Sequence, residues 1–396
     1  MTSPREELRT ATSNASHSPS SPKRRVLLIF GTRPEAIKLC PLIAQLRSPQ
    51  YHSIMEPVIC VTGQHRELLR GVLDAFEIEP DYDLDLMRPD QTLSSLTSRL
   101  LSGLEPVLNA VRPALTVVQG DTSTTFAGAL AAFYCRVPVA HVEAGLRTFD
   151  LRAPFPEEMN RVVTSRLAAL HFAPTEQAAE NLKREGVAPQ SIRVTGNTGI
   201  DAVFAVRDRL RSGALSGACL ALDPQKKLIV VTAHRRESFG EGLASICDAV
   251  GTLASRHDVQ IVWPVHPNPA VERVVHGRLG GTPNVLLLGP LEYVPFVDLL
   301  QRAYLLITDS GGIQEEGPSL GKPTLVLREK TERPEALHAG TVRLVGCDHA
   351  KITIEATRLL DDQARQERMS RLHNPYGDGK ASARIAESIA AFLGLA

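Results

Sequence analysis

The chain has 396 residues, more than a single hydrophobic core comfortably organises, so two domains are expected. Lys plus Arg and Asp plus Glu number 44 each, giving a formal charge of 0; this argues against a nucleic-acid-binding face or a polybasic membrane patch and makes any anion site a local one. The six cysteines (Cys40, Cys60, Cys135, Cys219, Cys247 and Cys347) lie far apart with no CxxC and no Cys/His cluster, so neither a zinc site nor a disulfide framework is expected, and they read as buried thiols of a cytoplasmic protein.

Residues 1–25 are rich in Ser, Pro and Arg and predict a disordered tail. VLLIF supplies five apolar residues before Gly31, where a secretory signal needs about 7–15, so export is not expected. No run approaches the roughly 18 apolar residues of a membrane span. From residue 26, short β-branched apolar runs alternate with longer helical patterns, the signature of βαβ units and a parallel sheet. Strands are expected at 26–30, 57–62, 115–119, 138–143, 170–173 and 192–195, then at 228–232, 260–265, 285–288, 305–308, 323–327 and 342–345. Because the runs are continuously apolar rather than alternating, helices should cover both faces of each sheet. The expectation is an α/β chain of two doubly wound, Rossmann-like domains, 26–197 and 198–375, facing a central cleft. A hinge is expected near 196–199, ahead of an amphipathic segment at 200–210, and a last helix within 376–396 should fold back on the first domain. The cleft is the default ligand site.

Taken in order, GTRPEAIKL at 31–39 leaves the first strand through glycine and starts a helix with Pro34 in its first turn, where a missing N–H costs nothing. Arg33 and Lys38 flank that start. Positive charge at the positive end of a helix is unfavourable unless an anion sits there, which favours Arg33 as a phosphate contact. TGQHREL at 62–68 brings Gln64, His65 and Arg66, either as a capped surface helix or as polar groups on the cleft. Asp121, in QGDT, is either the cap of the next helix or a carboxylate aimed into the cleft. Glu143, in HVEAG, is a charge in an otherwise apolar strand, costly without a partner or a task. PFPEEMNR at 154–161 adds Glu157 and Glu158 at a helix start. Acids at successive strand ends converge on one crevice of a doubly wound sheet, and crowding raises their proton affinity, so a general acid and a general base can coexist.

In the second half, His234 stands beside two arginines in VTAHRRESFG, suited to phosphate binding or proton donation, while His266, between prolines in PVHPNP, is structural or functional with equal reason. Phe296 either stacks near a base or fills the core. LLITDSGGIQEE at 305–316 is a strand, a turn and a helix start; Gly311 and Gly312 let backbone N–H groups approach an anion beside Ser310, and Glu316, one turn on, can accept two ribose hydroxyls. An ordinary strand-turn-helix connection explains the same loop. Arg333, in TERPEA, is placed to reach an anion.

Together GTRPEAIKL, TGQHREL, QGDTSTT, HVEAGLRT, PFPEEMNR, VTAHRRESFG, PVHPNP, TDSGGIQEE and TERPEA resemble the non-hydrolysing UDP-N-acetylglucosamine 2-epimerases, over nearly all of 26–346. The resemblance implies a GT-B fold, catalysis by Asp121, Glu143, Glu157 and His234, and UDP and sugar contacts from Arg33, Lys38, Phe296, Ser310, Gly311, Gly312, Glu316 and Arg333. It implies interconversion of UDP-GlcNAc and UDP-ManNAc, no cofactor or metal, and a homodimer. It also implies a second nucleotide site at Gln64, Arg66 and His266. The Pro34-Glu35 pair favours the non-hydrolysing branch. The competing readings are a GT-B glycosyltransferase, which would not need three acids in the first domain, a hydrolysing epimerase, and a silent UDP-sugar sensor, which would tolerate loss of the carboxylates.

Overall fold

The computed structural model describes residues 22–395 apart from 64–65, 89, 236–237, 332–333 and 372–375, so the tail expected at 1–25 lies almost wholly outside the described residues. The first sheet holds β1 (Arg24–Phe30), β2 (Met55–Val61), β3 (Tyr82–Asp83), β4 (Leu115–Gln119), β5 (Val139–Val142), β6 (Leu170–Ala173) and β7 (Ile192–Val194). Its order is β3-β2-β1-β4-β5-β6-β7 and every pairing is parallel. The second sheet holds β8 (Lys227–Thr232), β9 (Val259–Pro264), β10 (Val285–Leu288), β11 (Leu305–Thr308), β12 (Thr324–Val326) and β13 (Val342–Leu344) in the order β10-β9-β8-β11-β12-β13, again all parallel. Two doubly wound sheets of this kind make the GT-B fold.

Burial on both faces accounts for the apolar continuity of the strands. Val26, Leu28 and Phe30 pack with Ala36, Leu39 and Ile43 of helix Arg33–Leu46. Leu27 and Ile29 point the other way, to Leu104 and Leu108 of helix Leu93–Val111 and Ala129 of helix Ser123–Tyr134. In the second sheet Ile229 and Val231 meet Ile246 and Val250 of helix Glu241–Ala254, while Leu228 and Val230 meet Leu299 and Leu300 of helix Tyr293–Arg302. Each such Val, Leu, Ile or Phe side chain contributes about 1.5–3 kcal/mol by burial. Among the described residues no helix is long and apolar enough to cross a membrane.

The chain runs outward from β1 to β3, then returns to start β4 on the other side of β1; β8 and β11 repeat the arrangement. These are the switch points of the two sheets, and the turns leaving β1, β4, β8 and β11 open onto the crevices there. Helix Thr198–Arg211 joins the halves: Ala202 and Val206 enter the first core, whereas Ile200 packs with Val326 and Val342 of the second sheet. The final helix, Ala381–Phe392, buries Ile385, Ala386 and Ile389 in the first core. Its N-terminus has no local side-chain cap; Asp201 supplies one from 180 residues away, accepting the Ala381 and Ser382 N–H groups at 3.2 and 2.6 Å.

Asp201→Ala should therefore lower the unfolding free energy by about 0.5–2 kcal/mol and speed amide exchange selectively in the last helix. Urea unfolding with hydrogen exchange checks this; an unchanged midpoint with unchanged exchange would contradict it.

Candidate active site

Thr308 closes β11 and its hydroxyl accepts the Ser310 N–H at 3.0 Å, which turns the chain into helix Gly311–Ser319. Ser310 occupies the N-cap without a side-chain cap bond, so the first N–H groups and the positive end of the helix dipole are left open. They face a cavity of about 650 Å³ between the two sheets, walled by Ser310, Gly311 and Gly312. A Cβ on Gly312 would approach nothing closer than 3.9 Å, so packing does not demand glycine there. Its bareness leaves room for a ligand at the backbone, the geometry in which helix starts bind phosphate. Glu316, a turn further on, lines the same cavity. Burial pushes its carboxyl up to about 7, and the neighbouring Glu315 adds to the rise, while Lys38 and Arg33 oppose it. Glu315 instead accepts a bond from Asn197 Nδ2 at 2.7 Å.

His234 follows β8 and lies on the cavity wall with Phe296 and His266. Its Nδ1 sits 3.2 Å from Oδ1 of Asp309, whose Oδ2 accepts the backbone N–H of His234 and of Arg235 at 2.7 and 2.8 Å. Asp309 is fully buried, so its carboxylate holds the backbone of this turn and faces the His234 ring. Burial lowers the proton affinity of His234; Asp309 works against this, and His266 and Arg235 reinforce it. His266 stacks on His234 with ring centroids 5.3 Å apart and planes 12° from parallel, so it shares the cavity with the residues of the main site.

Across the cleft, Arg33 leaves the β1 turn and donates from Nη2 to the Leu291 carbonyl of the second half at 3.2 Å. Lys38, on the same helix, reaches both the cavity and Glu143, with which it forms an ion pair. Gln119 Nε2 donates to the same Glu143 oxygen at 2.6 Å. Glu143 stands one residue past β5 rather than inside a strand, with φ of 63°. A left-handed backbone at a non-glycine residue stores about 1–3 kcal/mol, held here by the two partners of its carboxylate. The helix after β4 is capped by Thr122, which accepts the Thr125 N–H at 3.2 Å, so Asp121 is not the cap. Asp121 is partly buried and paired with Arg161 at 2.9 Å. Desolvation pushes its carboxyl up to about 6, with Arg161 and Lys38 opposing and Glu143 and Glu157 contributing to the rise. Glu157 opens helix Glu157–Leu167 and is partly exposed, whereas Glu158 is fully buried and turned to the Thr148 and Phe149 N–H groups at 3.0 and 2.9 Å.

The fold thus gathers Arg33, Lys38, His234, His266, Phe296, Ser310, Gly311, Gly312 and Glu316 around one cavity. Asp121, Glu143 and Glu157 form a neighbouring cluster joined to it by Lys38. Gln64, His65 and Arg333 lie outside the described residues, as does the Arg66 side chain. The structural roles of Asp309 and Glu35 escaped sequence reasoning. Asp309 had no local signal, since its partner is 75 residues away. Glu35 had one, the Thr32-x-x-Glu35 capping box. Only 1% exposed, it accepts the Gly31 and Thr32 N–H groups at 2.9 and 2.7 Å and the Thr122 and Thr125 hydroxyls at 2.6 and 3.2 Å, tying the Arg33 turn to the Asp121 turn.

Two parallel sheets, a cleft at their switch points and an open helix start facing it define a two-domain nucleotide-type binding protein of the GT-B class. The family model described as UDP-N-acetylglucosamine 2-epimerase matches residues 48–390. The UDP-N-acetylglucosamine 2-epimerase of Escherichia coli K12 is 54% identical over 371 residues, covering 92% of this chain and 98% of that protein. The structure of the Neisseria meningitidis UDP-GlcNAc 2-epimerase bound to UDP-GlcNAc superposes with a TM-score of 0.85 at 45% identity, covering 93% of this chain and all (100%) of that one. The Staphylococcus aureus MnaA structure with UDP gives 0.83 at 45% identity, covering 94% and 98%. The chain belongs to the UDP-N-acetylglucosamine 2-epimerase family.

Asp309→Asn removes the negative charge that favours the His234 imidazolium, so the His234 pKa should fall further below its ordinary value. NMR titration of the ring resonances checks the sign; a rise, or no change in a folded variant, would contradict the pairing.

Proposed function

We propose that the chain catalyses reversible epimerisation at C2 between UDP-GlcNAc and UDP-ManNAc, without hydrolysis, metal or cofactor, by eliminating UDP and adding it back. The observation that supports this best is the adjacency of an anion-binding cavity to a cluster of three carboxylates, coupled through the Lys38–Glu143 pair. The C2 proton of the sugar is not beside a carbonyl and is too weakly acidic for direct removal by a carboxylate. UDP therefore leaves first. Arg33, His234 and the N–H groups at Gly311 and Gly312 neutralise the charge on the departing diphosphate, and an arriving phosphate raises the proton affinity of His234. Phe296 lies against the base, Glu316 accepts the ribose hydroxyls, and Arg333 adds a cation to the diphosphate.

The sugar becomes oxocarbenium-like, which acidifies C2–H. One carboxylate removes that proton to give 2-acetamidoglucal, and a second group returns a proton to the opposite face before UDP re-adds at C1. Asp121, Glu143 and Glu157 supply these groups. With its carboxyl raised to about 6, Asp121 is the acid best poised to carry a proton near neutrality. The Pro34-Glu35 pair supports the non-hydrolysing branch. Resemblance to the family supports a cytoplasmic homodimer whose ManNAc units feed cell-surface polysaccharide, and a second nucleotide site at Gln64, Arg66 and His266.

Incubated with UDP-GlcNAc and a chelator, the purified chain should yield UDP-ManNAc to a constant ratio by proton NMR. Free ManNAc with UDP would mark a hydrolase, and an unchanged spectrum would refute the reading. Above about pH 7, where Glu316 is ionised, Glu316→Ala should weaken UDP binding by about 1.5–3 kcal/mol for each ribose bond lost. Calorimetry showing wild-type affinity in a folded variant would remove Glu316 from the site.

A further inference from the structure

Helix Glu157–Leu167 buries polar side chains where it meets the β4 turn: Glu158 is 0%, Asn160 2% and Arg161 9% exposed. A guanidinium so placed is costly unless its charge and donors are matched. Arg161 has carboxylates on two sides, Asp121 Oδ2 at 2.9 Å and Glu158 Oε2 at 3.4 Å. Glu158 is itself held by the backbone N–H groups of Thr148 and Phe149, so the guanidinium rests on a fixed support. Asn160 Nδ2 donates to the Asp121 carbonyl at 2.9 Å, gripping the backbone of the residue whose carboxylate Arg161 grips. On the other side His141, fully buried, bonds the Gly120 carbonyl through Nε2 at 2.7 Å. The helix that carries Glu157 therefore also sets the place of Asp121.

We propose that Arg161 is a positioning residue for the epimerisation, locking the Asp121 carboxylate into one orientation in fixed register with Glu157. The inference rests on the reading of Asp121 as a proton-transfer group. Holding the acid in place removes the reorganisation that would otherwise precede proton transfer. The charges facing Asp121 are Glu143, Glu157 and Lys38 besides Arg161, and Arg161 is the strongest of them. Its removal leaves the acids less compensated, so the Asp121 carboxyl moves further up from about 6.

The test compares Arg161→Met, Arg161→Lys, Asp121→Asn and the double variant Asp121→Asn/Arg161→Met. Arg161→Met should lower kcat on the order of 10²-fold with KM within about 3-fold of wild type, and shift the limb of the kcat profile set by Asp121 to higher pH. Arg161→Lys keeps the charge without the two-pronged geometry, so it should recover part of kcat and return the limb towards wild type. Because Arg161 acts through Asp121, the double variant should be no slower than Asp121→Asn. A near-wild-type Asp121→Asn would overturn the reading of Asp121 and this inference with it. An impaired Asp121→Asn beside a wild-type kcat in Arg161→Met, or losses that multiply in the double variant, would overturn this inference alone. Should Arg161→Met fail to fold, Arg161→Lys carries the test: reduced kcat at unchanged KM supports the proposal, and wild-type kcat or parallel changes in kcat and KM overturn it.

Discussion

Three carboxylate contacts, Lys38 with Glu143, Arg161 with Asp121 and the His234 imidazole with Asp309, are the constraint on which the cleft depends. Each places a carboxylate near the apolar end of a parallel sheet, where an uncompensated charge costs several kcal/mol, and each supplies the partner that makes the placement tolerable. Removing one member strands the other, so the pairs fix geometry more than they add stability. They also divide the charge by sheet. Two pairs hold carboxylates at the ends of β4 and β5, and the third orients an imidazole beside the open helix start after β11.

That division follows from the topology. In each sheet the chain reverses its direction of winding beside the first strand, and the turns at that point are the ones free to carry chemistry. Glu35 ties two of these turns together in the first sheet, Arg33 crosses to the Leu291 carbonyl of the second half, and helix Thr198–Arg211 shares its packing between both cores. The candidate acids and the open helix start are thus held by a continuous set of contacts. Helix Gly311–Ser319 contributes by what it lacks: with no side-chain cap at Ser310, its N–H groups are left for an anion.

Much of the fold was legible because burial on both faces leaves a direct mark. Twelve strands coincide within two residues with the expected runs; β1 and β2 both start two residues earlier because Arg24 and Arg25 extend the backbone ladder opposite Met55 and Glu56. β3 was missed because two residues, Tyr82 and Asp83, carry no pattern. The site was legible as residue types at strand ends, but not as pairs. Glu143 looked like an isolated charge in a strand, whereas it lies just beyond one and meets Lys38, 105 residues away. Asp121 was legible as either a cap or a carboxylate aimed into the cleft; Thr122 takes the cap and leaves the carboxylate for Arg161. Asp309 passed as a turn residue. Long-range pairing leaves no period in the sequence, and these contacts are all long-range.

The central claim is that C2 inversion proceeds by proton removal and return within this cleft after UDP departs. Running the reaction from UDP-GlcNAc in heavy water and reading C2 of the product by proton NMR tests it most directly. The account predicts UDP-ManNAc carrying deuterium at C2, because the returning proton comes from side chains that exchange with solvent. UDP-ManNAc formed at full rate with its original C2 hydrogen would contradict it.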